Sequence, residues 1–180
     1  MIGVLALQGA VSPHLAALAE LGLGGRPVRR EAELEGLDGL ILPGGESTTQ
    51  LDLLARTGLD AALDRFVRAG RPVLCTCAGL ILAAREVSGP AQRSFGWLDV
   101  DVARNGWGRQ VHSFEAEADG TGRPLVFIRA PRITRVGPGV TVIERFDGEP
   151  VGVRQGALFG VTFHPELTPD RAIHRAAFGG

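Results

Sequence analysis

Three short runs of unbroken apolar character, residues 2–7, 39–42 and 72–75, each lead through a turn into a helical pattern. A strand with one wet face alternates apolar and polar residues. A run with no polar face must be covered on both sides. Such strands, interleaved with helices, predict a parallel sheet with helices on both faces. Ser12-Pro13 predicts the opening of the first helix, with Ser12 as cap and the proline in the first turn. That helix sets Leu15, Leu18, Ala19 and Leu21 on one side and ends at Gly22. The second run stops at Pro43-Gly44-Gly45, and helical patterns follow over 49–56, 59–69 and 79–86.

The second half has another rhythm. Residues 98–103, 112–118, 125–128, 140–146, 151–154 and 158–163 read as short strands between Gly and Pro turns, and Asp147-Gly148 is a hairpin signal. A helix returns only at 168–178. The expected architecture is a three-layer α/β fold. Its mostly parallel central sheet has helices on both faces and antiparallel additions in the C-terminal half. A chain of 180 residues suits one domain, 1–180.

Composition removes several classes of function. Nineteen basic against twenty acidic side chains give no field for nucleic acid. Every base is Arg, so no lysine amine is present for a Schiff base or a P-loop. Two cysteines, Cys75 and Cys77, make no disulfide framework, and no second cluster completes a metal site. The N-terminal residues carry no basic leader, and the membrane-like stretch 72–84 is too short to span a bilayer. A cytoplasmic protein that engages neither nucleic acid nor membrane is expected.

In an open parallel sheet, ligands bind at the carboxyl ends of the strands. Three unusual segments fall there: 43–49, 75–79 and 163–166. Cys77 lies between a strand and a helix and is followed by the small residues Ala78 and Gly79, as a nucleophile on a sharp turn would be. A buried core cysteine is the competing reading, and spacing alone leaves both open. Cys75, two residues earlier, reads as a small apolar filler at the strand end. His164 is held extended by Pro165, so Glu166 faces the same way and can orient the ring, the arrangement of a base and its orienter. His112 is the rival base, whereas His14 and His174 sit in helical patterns with no evident partner. Gly44-Gly45 permits close backbone approach and can aim an N–H at an oxyanion beside that of Ala78. The same segment also reads as a helix start with Ser47 as cap and Glu46 near the dipole. Arg104-Asn105 opens a polar, Gly-rich loop, and Arg129 follows a strand where it could meet a carboxylate.

Together these strings resemble the glutaminase subunits of pyridoxal 5'-phosphate synthase, a family of class I, triad-type glutamine amidotransferases. The matching pieces are residues 3–11, 42–49, 76–82, Arg104-Asn105 with Gly108-Arg109-Gln110, 113–115, 127–131 and 163–168. They run in the family's order along essentially the whole chain. The resemblance implies hydrolysis of L-glutamine to L-glutamate and ammonia through a thioester. Cys77 would be the nucleophile, His164 the proton shuttle and Glu166 its orienter. Gly45 and Ala78 would form the oxyanion hole. Gly45, Glu46, Ser47, Arg104, Ile128 and Arg129 would bind glutamine, and Gln8 would lie at the active site and subunit interface. Ammonia would pass to a separate (β/α)₈ synthase subunit in a large hetero-oligomer. No cofactor and no metal are implied. The chain departs from the family's pattern at Cys75, usually Gly, at Gly156-Ala157, often Gly-Asn, and in a short C-terminal helix. Two other readings stay open from the residues: a subunit of another class I amidotransferase, such as imidazole glycerol phosphate synthase, and a nucleophile-elbow cysteine protein of redox or chaperone type.

Overall fold

The computed structural model describes residues 1–107 and 113–179. The N-terminal half runs β1 (Ile2–Leu5), α1 (Val11–Glu20), β2 (Gly25–Val28), a 3₁₀ turn (Glu31–Leu34), β3 (Gly39–Leu42), α2 (Ser47–Thr57), α3 (Leu59–Arg68), β4 (Val73–Thr76) and α4 (Ala78–Ala83). There follow β5 (Ala84–Ser88), β6 (Leu98–Ala103), β7 (Ser113–Glu117), β8 (Pro124–Ile128), β9 (Arg132–Val136), β10 (Thr141–Phe146), β11 (Glu149–Gln155) and β12 (Leu158–Val161). A 3₁₀ turn (Pro165–Leu167) and α5 (Ala172–Phe178) complete the chain.

The main sheet has seven strands in the order β10-β11-β12-β4-β3-β1-β2. From β12 to β2 every pairing is parallel, and β10-β11-β12 add antiparallel strands at one end. This is the expected mixed sheet. Strand periodicity divides the buried side chains between two cores. Leu40, Leu42, Val73 and Cys75 face one of them, with Leu54, Leu63 and Leu82 from α2, α3 and α4. Ile2, Val4, Ile41 and Leu74 face the other, with Leu18 and Ile173 from α1 and α5. A three-stranded sheet, β5-β6-β9, and the hairpin β7-β8 lie outside the main sheet. Among the described residues, no helix is long and apolar enough to cross a membrane.

Several local expectations need correction. Helix α1 starts at Val11 with no side-chain cap, so Ser12 lies inside the first turn. Glu46, not Ser47, caps α2: its carboxylate accepts the N–H groups of Thr48 and Thr49. The helix expected over 79–86 stops at Ala83, and Ala84–Ser88 pairs with β6 instead. The helix expected from 168 begins at Ala172. At the outer edge of the sheet, β2 pairs only with β1 among the described residues. Gly24 and Val28 offer their carbonyls to Ile2 and Ala6, so the even-numbered residues face inward and Pro27 faces out.

Candidate active site

The carboxyl ends of β1, β3, β4, β6 and β8 and the chain beyond β12 converge on one cleft of about 410 Å³. Its walls include Gln8, Gly45, Glu46, Ser47, Cys77, Arg104, Ile128, Arg129 and His164. All are residues that the sequence singled out. Glu166 and Ala78 are not on the wall. Glu166 lies buried beside His164, and Ala78 is buried directly after Cys77.

Cys77 joins β4 to α4 with φ 47° and ψ −102°, in the region that disfavours side chains. Two contacts over-determine that bend. The Cys77 N–H donates to the Val161 carbonyl at 2.9 Å, tying the turn to β12. A Cβ on Gly79 would lie 2.1 Å from the Leu42 carbonyl oxygen, so α4 can sit this close to β3 only with glycine there. The Cys77 thiol donates to the Ile128 carbonyl at 3.7 Å. Cys75 has the opposite character. It is wholly buried in the core, and burial pushes its thiol up to about 12. It is the apolar filler the sequence suggested.

His164 is placed by its own backbone, whose N–H donates to the Val126 carbonyl at 2.8 Å. Its Nδ1 meets Glu166 Oε1 at 2.7 Å. Burial opposes charge on the ring, but hydrogen bonds and charge interactions with Cys77 and Glu166 outweigh it and raise His164 to about 10. Burial likewise works to raise the Glu166 carboxyl, and the His164 hydrogen bond and the nearby His14 and His164 bring it below the usual range. A sulfur and a carboxylate therefore share one imidazole, an arrangement able to form a nucleophile and to shuttle its proton.

The other wall is cross-braced. Gln50 Nε2 donates to the carbonyls of Gln8 and Pro43, at 2.9 and 3.2 Å. Ala10 N–H donates to the Gly44 carbonyl at 3.0 Å, and Glu46 N–H to Gln8 Oε1 at 2.8 Å. A Cβ on Gly45 would come 2.4 Å from that same oxygen. The Gln8 loop and the Gly44-Gly45 loop are thus one unit. Partial burial works to raise the Glu46 carboxyl, but hydrogen bonds from Thr49 and Thr48 and the Arg104 charge hold it below the usual range. Arg104 reaches Glu46 Oε1 at 3.4 Å across the cleft. Arg129, with φ 46°, turns the chain out of β8 beside half-exposed Ile128.

Sequence reasoning missed Ile81 and Asn105 on the cleft wall. Their signals were present: Ile81 is one helical turn beyond Cys77, and Asn105 adjoins Arg104 at φ 54°. It also missed the brace Gln50, for which no local signal exists. His14 and His174, read as partnerless, hydrogen-bond each other at 2.9 Å. The rival base His112, with Gly108-Arg109-Gln110, lies outside the described residues. Among the described residues, no group of three His, Cys, Asp or Glu could hold a metal ion.

Comparison with known proteins gives a consistent set of relatives. A family model described as the SNO glutamine amidotransferase family matches residues 4–178. The pyridoxal 5'-phosphate synthase subunit PdxT of Methanothrix thermoacetophila is 47% identical over 178 residues, covering 97% of this chain and 96% of that protein. The subunit of the same name from Deinococcus radiodurans is 49% identical over 187 residues, with 99% and 95% covered. A crystal structure of a glutamine amidotransferase superposes with TM-score 0.91 at 45% identity, covering 99% of this chain and 97% of that one.

Proposed function

Because this chain belongs to the SNO glutamine amidotransferase family, we propose that it hydrolyses L-glutamine and delivers ammonia to a separate synthase subunit for pyridoxal 5'-phosphate synthesis. The observation that carries the reading is the Cys77 turn opening onto a cleft that also holds His164, whose ring is fixed by Glu166 at 2.7 Å. The whole of 1–180 acts as one glutaminase unit, in the cytoplasm.

The chemistry follows from those three side chains. Glutamine enters with its side-chain amide at Cys77. Glu46, Ser47, Arg104, Ile128 and Arg129 hold its amino-acid end, with Gly45 shared between substrate and oxyanion. His164 holds the proton of the Cys77–His164 pair, and the bared sulfur attacks the amide carbon. The resulting oxyanion accepts hydrogen bonds from the backbone N–H groups of Gly45 and Ala78. An N–H at the start of a helix has no intrahelical partner, which frees that of Ala78 for the role. His164 then protonates the amide nitrogen, the C–N bond breaks and ammonia leaves a glutamyl thioester. A water gives a proton to His164 and adds to the thioester. The C–S bond breaks, glutamate departs and the proton stays on His164 for the next turnover. Glu166 keeps the Nδ1 proton in place throughout, so Nε2 does the transfer.

The partner is a (β/α)₈ synthase subunit in a large hetero-oligomer, and Gln8 lies where the cleft meets it. The shared names of the relatives favour this partner over that of imidazole glycerol phosphate synthase. The His164–Glu166 pair favours hydrolysis over a redox or chaperone role, which has no use for an oriented base.

A glutaminase assay with and without the synthase subunit tests the reading. Glutamate should form, faster with the partner, and Cys77→Ala should abolish it. No turnover by the wild-type complex would overturn it.

A further inference from the structure

The second carboxylate oxygen of Glu166 faces a pair of histidines that the proposed hydrolysis leaves unused. His14 comes from α1 and His174 from α5, and both are fully buried. His14 Nδ1 meets His174 Nε2 at 2.9 Å. The other nitrogen of His14, Nε2, lies 3.3 Å from Thr76 Oγ1 and 3.4 Å from Glu166 Oε2. Thr76 precedes Cys77, and its hydroxyl accepts the Gly44 N–H at 3.0 Å. The line His174–His14–Glu166–His164–Cys77 therefore joins two helices to the cleft without a break.

Both rings are neutral at physiological pH. Desolvation lowers His14 to about 4, against the attraction of Glu166 and with the charges of His164 and Arg171. Desolvation, with smaller contributions from His14 and Arg171, lowers His174 to about 3. Glu166 and Glu20 act on His174 in the opposite sense.

A neutral imidazole carries one N–H, so the pair has two possible proton arrangements. If His14 is protonated at Nδ1, His174 carries its own proton on Nδ1, which has no partner among the described residues. The bare Nε2 of His14 then faces Glu166 Oε2 at 3.4 Å, and that oxygen accepts a hydrogen bond from no described group. Both are costly in a buried site. If instead His174 Nε2–H donates to His14 Nδ1, the His14 Nε2–H points at Thr76 and Glu166. What remains unpaired is a lone pair on His174 and a hydroxyl proton that can rotate. The second arrangement removes the unpaired N–H and turns an N–H, in place of a lone pair, toward Glu166 Oε2 at 3.4 Å.

We propose that His14 is a positioning residue for glutamine hydrolysis: its Nε2–H, shared with Thr76, attracts Glu166 Oε2 across 3.4 Å, so that Oε1 stays on His164. His174 acts one place further back by fixing the tautomer of His14. The inference rests on the reading of Cys77, His164 and Glu166 as the hydrolytic triad. A carboxylate held at one oxygen can swing, and a ring that loses its orienter presents Nε2 to the sulfur less often.

Two substitutions test it in the complex with the synthase subunit. His14→Leu keeps bulk and removes the donor, whereas His14→Gln restores an N–H near the Nε2 position. In H14L the turnover number should fall about tenfold while KM for glutamine stays within about twofold, and H14Q should recover to within about threefold. Alkylation of Cys77 by iodoacetamide at neutral pH should slow in H14L and recover in H14Q. Long-range ¹H–¹⁵N spectra of the wild type should place the His14 proton on Nε2. Equal losses in both variants, unchanged turnover and alkylation in H14L, or a proton on Nδ1 would each overturn the proposal. Alkylation and spectra need no glutamine. A wild type that turned over no glutamine would therefore sink the glutaminase reading while these two still judged His14.

Discussion

The Cβ that Gly44 lacks would lie 2.3 Å from Cε1 of His164 and 3.0 Å from its Nδ1. The imidazole thus rests against the Gly44 backbone, and no rotamer adjustment of residue 44 could relieve a methyl there. The neighbour that would have to move is the ring itself.

Gly44→Ala should therefore push the His164 ring off the Glu166 hydrogen bond while leaving the sheet intact. The turnover number is expected to fall about 100-fold, the usual scale for misplacing a catalytic group by about 1 Å. Steady-state kinetics check the turnover, and a melting temperature within a few degrees of wild type shows that the loss is local.

The two buried histidines give the protein an acid limit. Their folded-state values, about 4 for His14 and about 3 for His174, lie below the unfolded value of 6.5. The unfolded chain therefore binds more protons over that interval, and stability falls as pH drops through it. Each group contributes a slope of up to about 1.4 kcal/mol per pH unit. His164 has the opposite sign: it is raised to about 10, so its contribution is full below 6.5 and is lost as pH climbs toward 10. Urea unfolding at pH 7 and pH 5 should show a marked loss of stability, and His174→Leu should flatten that dependence. A pH-independent midpoint for the wild type would contradict the account.

Cys75 and Cys77 stand two residues apart yet should behave as different reagents. Cys75 is packed in the core, with its thiol at about 12, whereas Cys77 borders the cleft beside an imidazole. A thiol reagent on the native protein should label Cys77 alone, and Cys77→Ala should take up none until it is unfolded. Peptide mapping by mass spectrometry reads the outcome.

Glu46 has two attachments. Its carboxylate caps α2 through Thr48 and Thr49, with N···O distances of 3.3 and 2.7 Å, and it faces Arg104 in the cleft. Glu46→Ala should cost about 1 kcal/mol of stability for the lost cap. The same variant should raise KM for glutamine more than it lowers the turnover number. Chemical denaturation and a substrate titration separate the two effects.

Legibility in the sequence followed the range of the interaction. β1, β3 and β4 were readable because both faces of each strand are buried, which leaves an unbroken apolar run. β2 was not, because Gly25-Arg26-Pro27-Val28 is an edge strand with little apolar content. Ala84-Arg85-Glu86 consists of good helix formers, and pairing with β6 overrides that preference. Cys77, His164 and Glu166 carried local signals, a strand-turn-helix and a spacing of two. Nothing local links His14 to His174, which are 160 positions apart and meet only because α1 and α5 cover the same face of the sheet.

Proline at position 27 has a bearing on how this molecule can associate. Its missing N–H sits on the free border of β2, where an incoming strand would need a donor. One rung of any added ladder would go unmade there, which disfavours growth of the sheet by strand addition on that side.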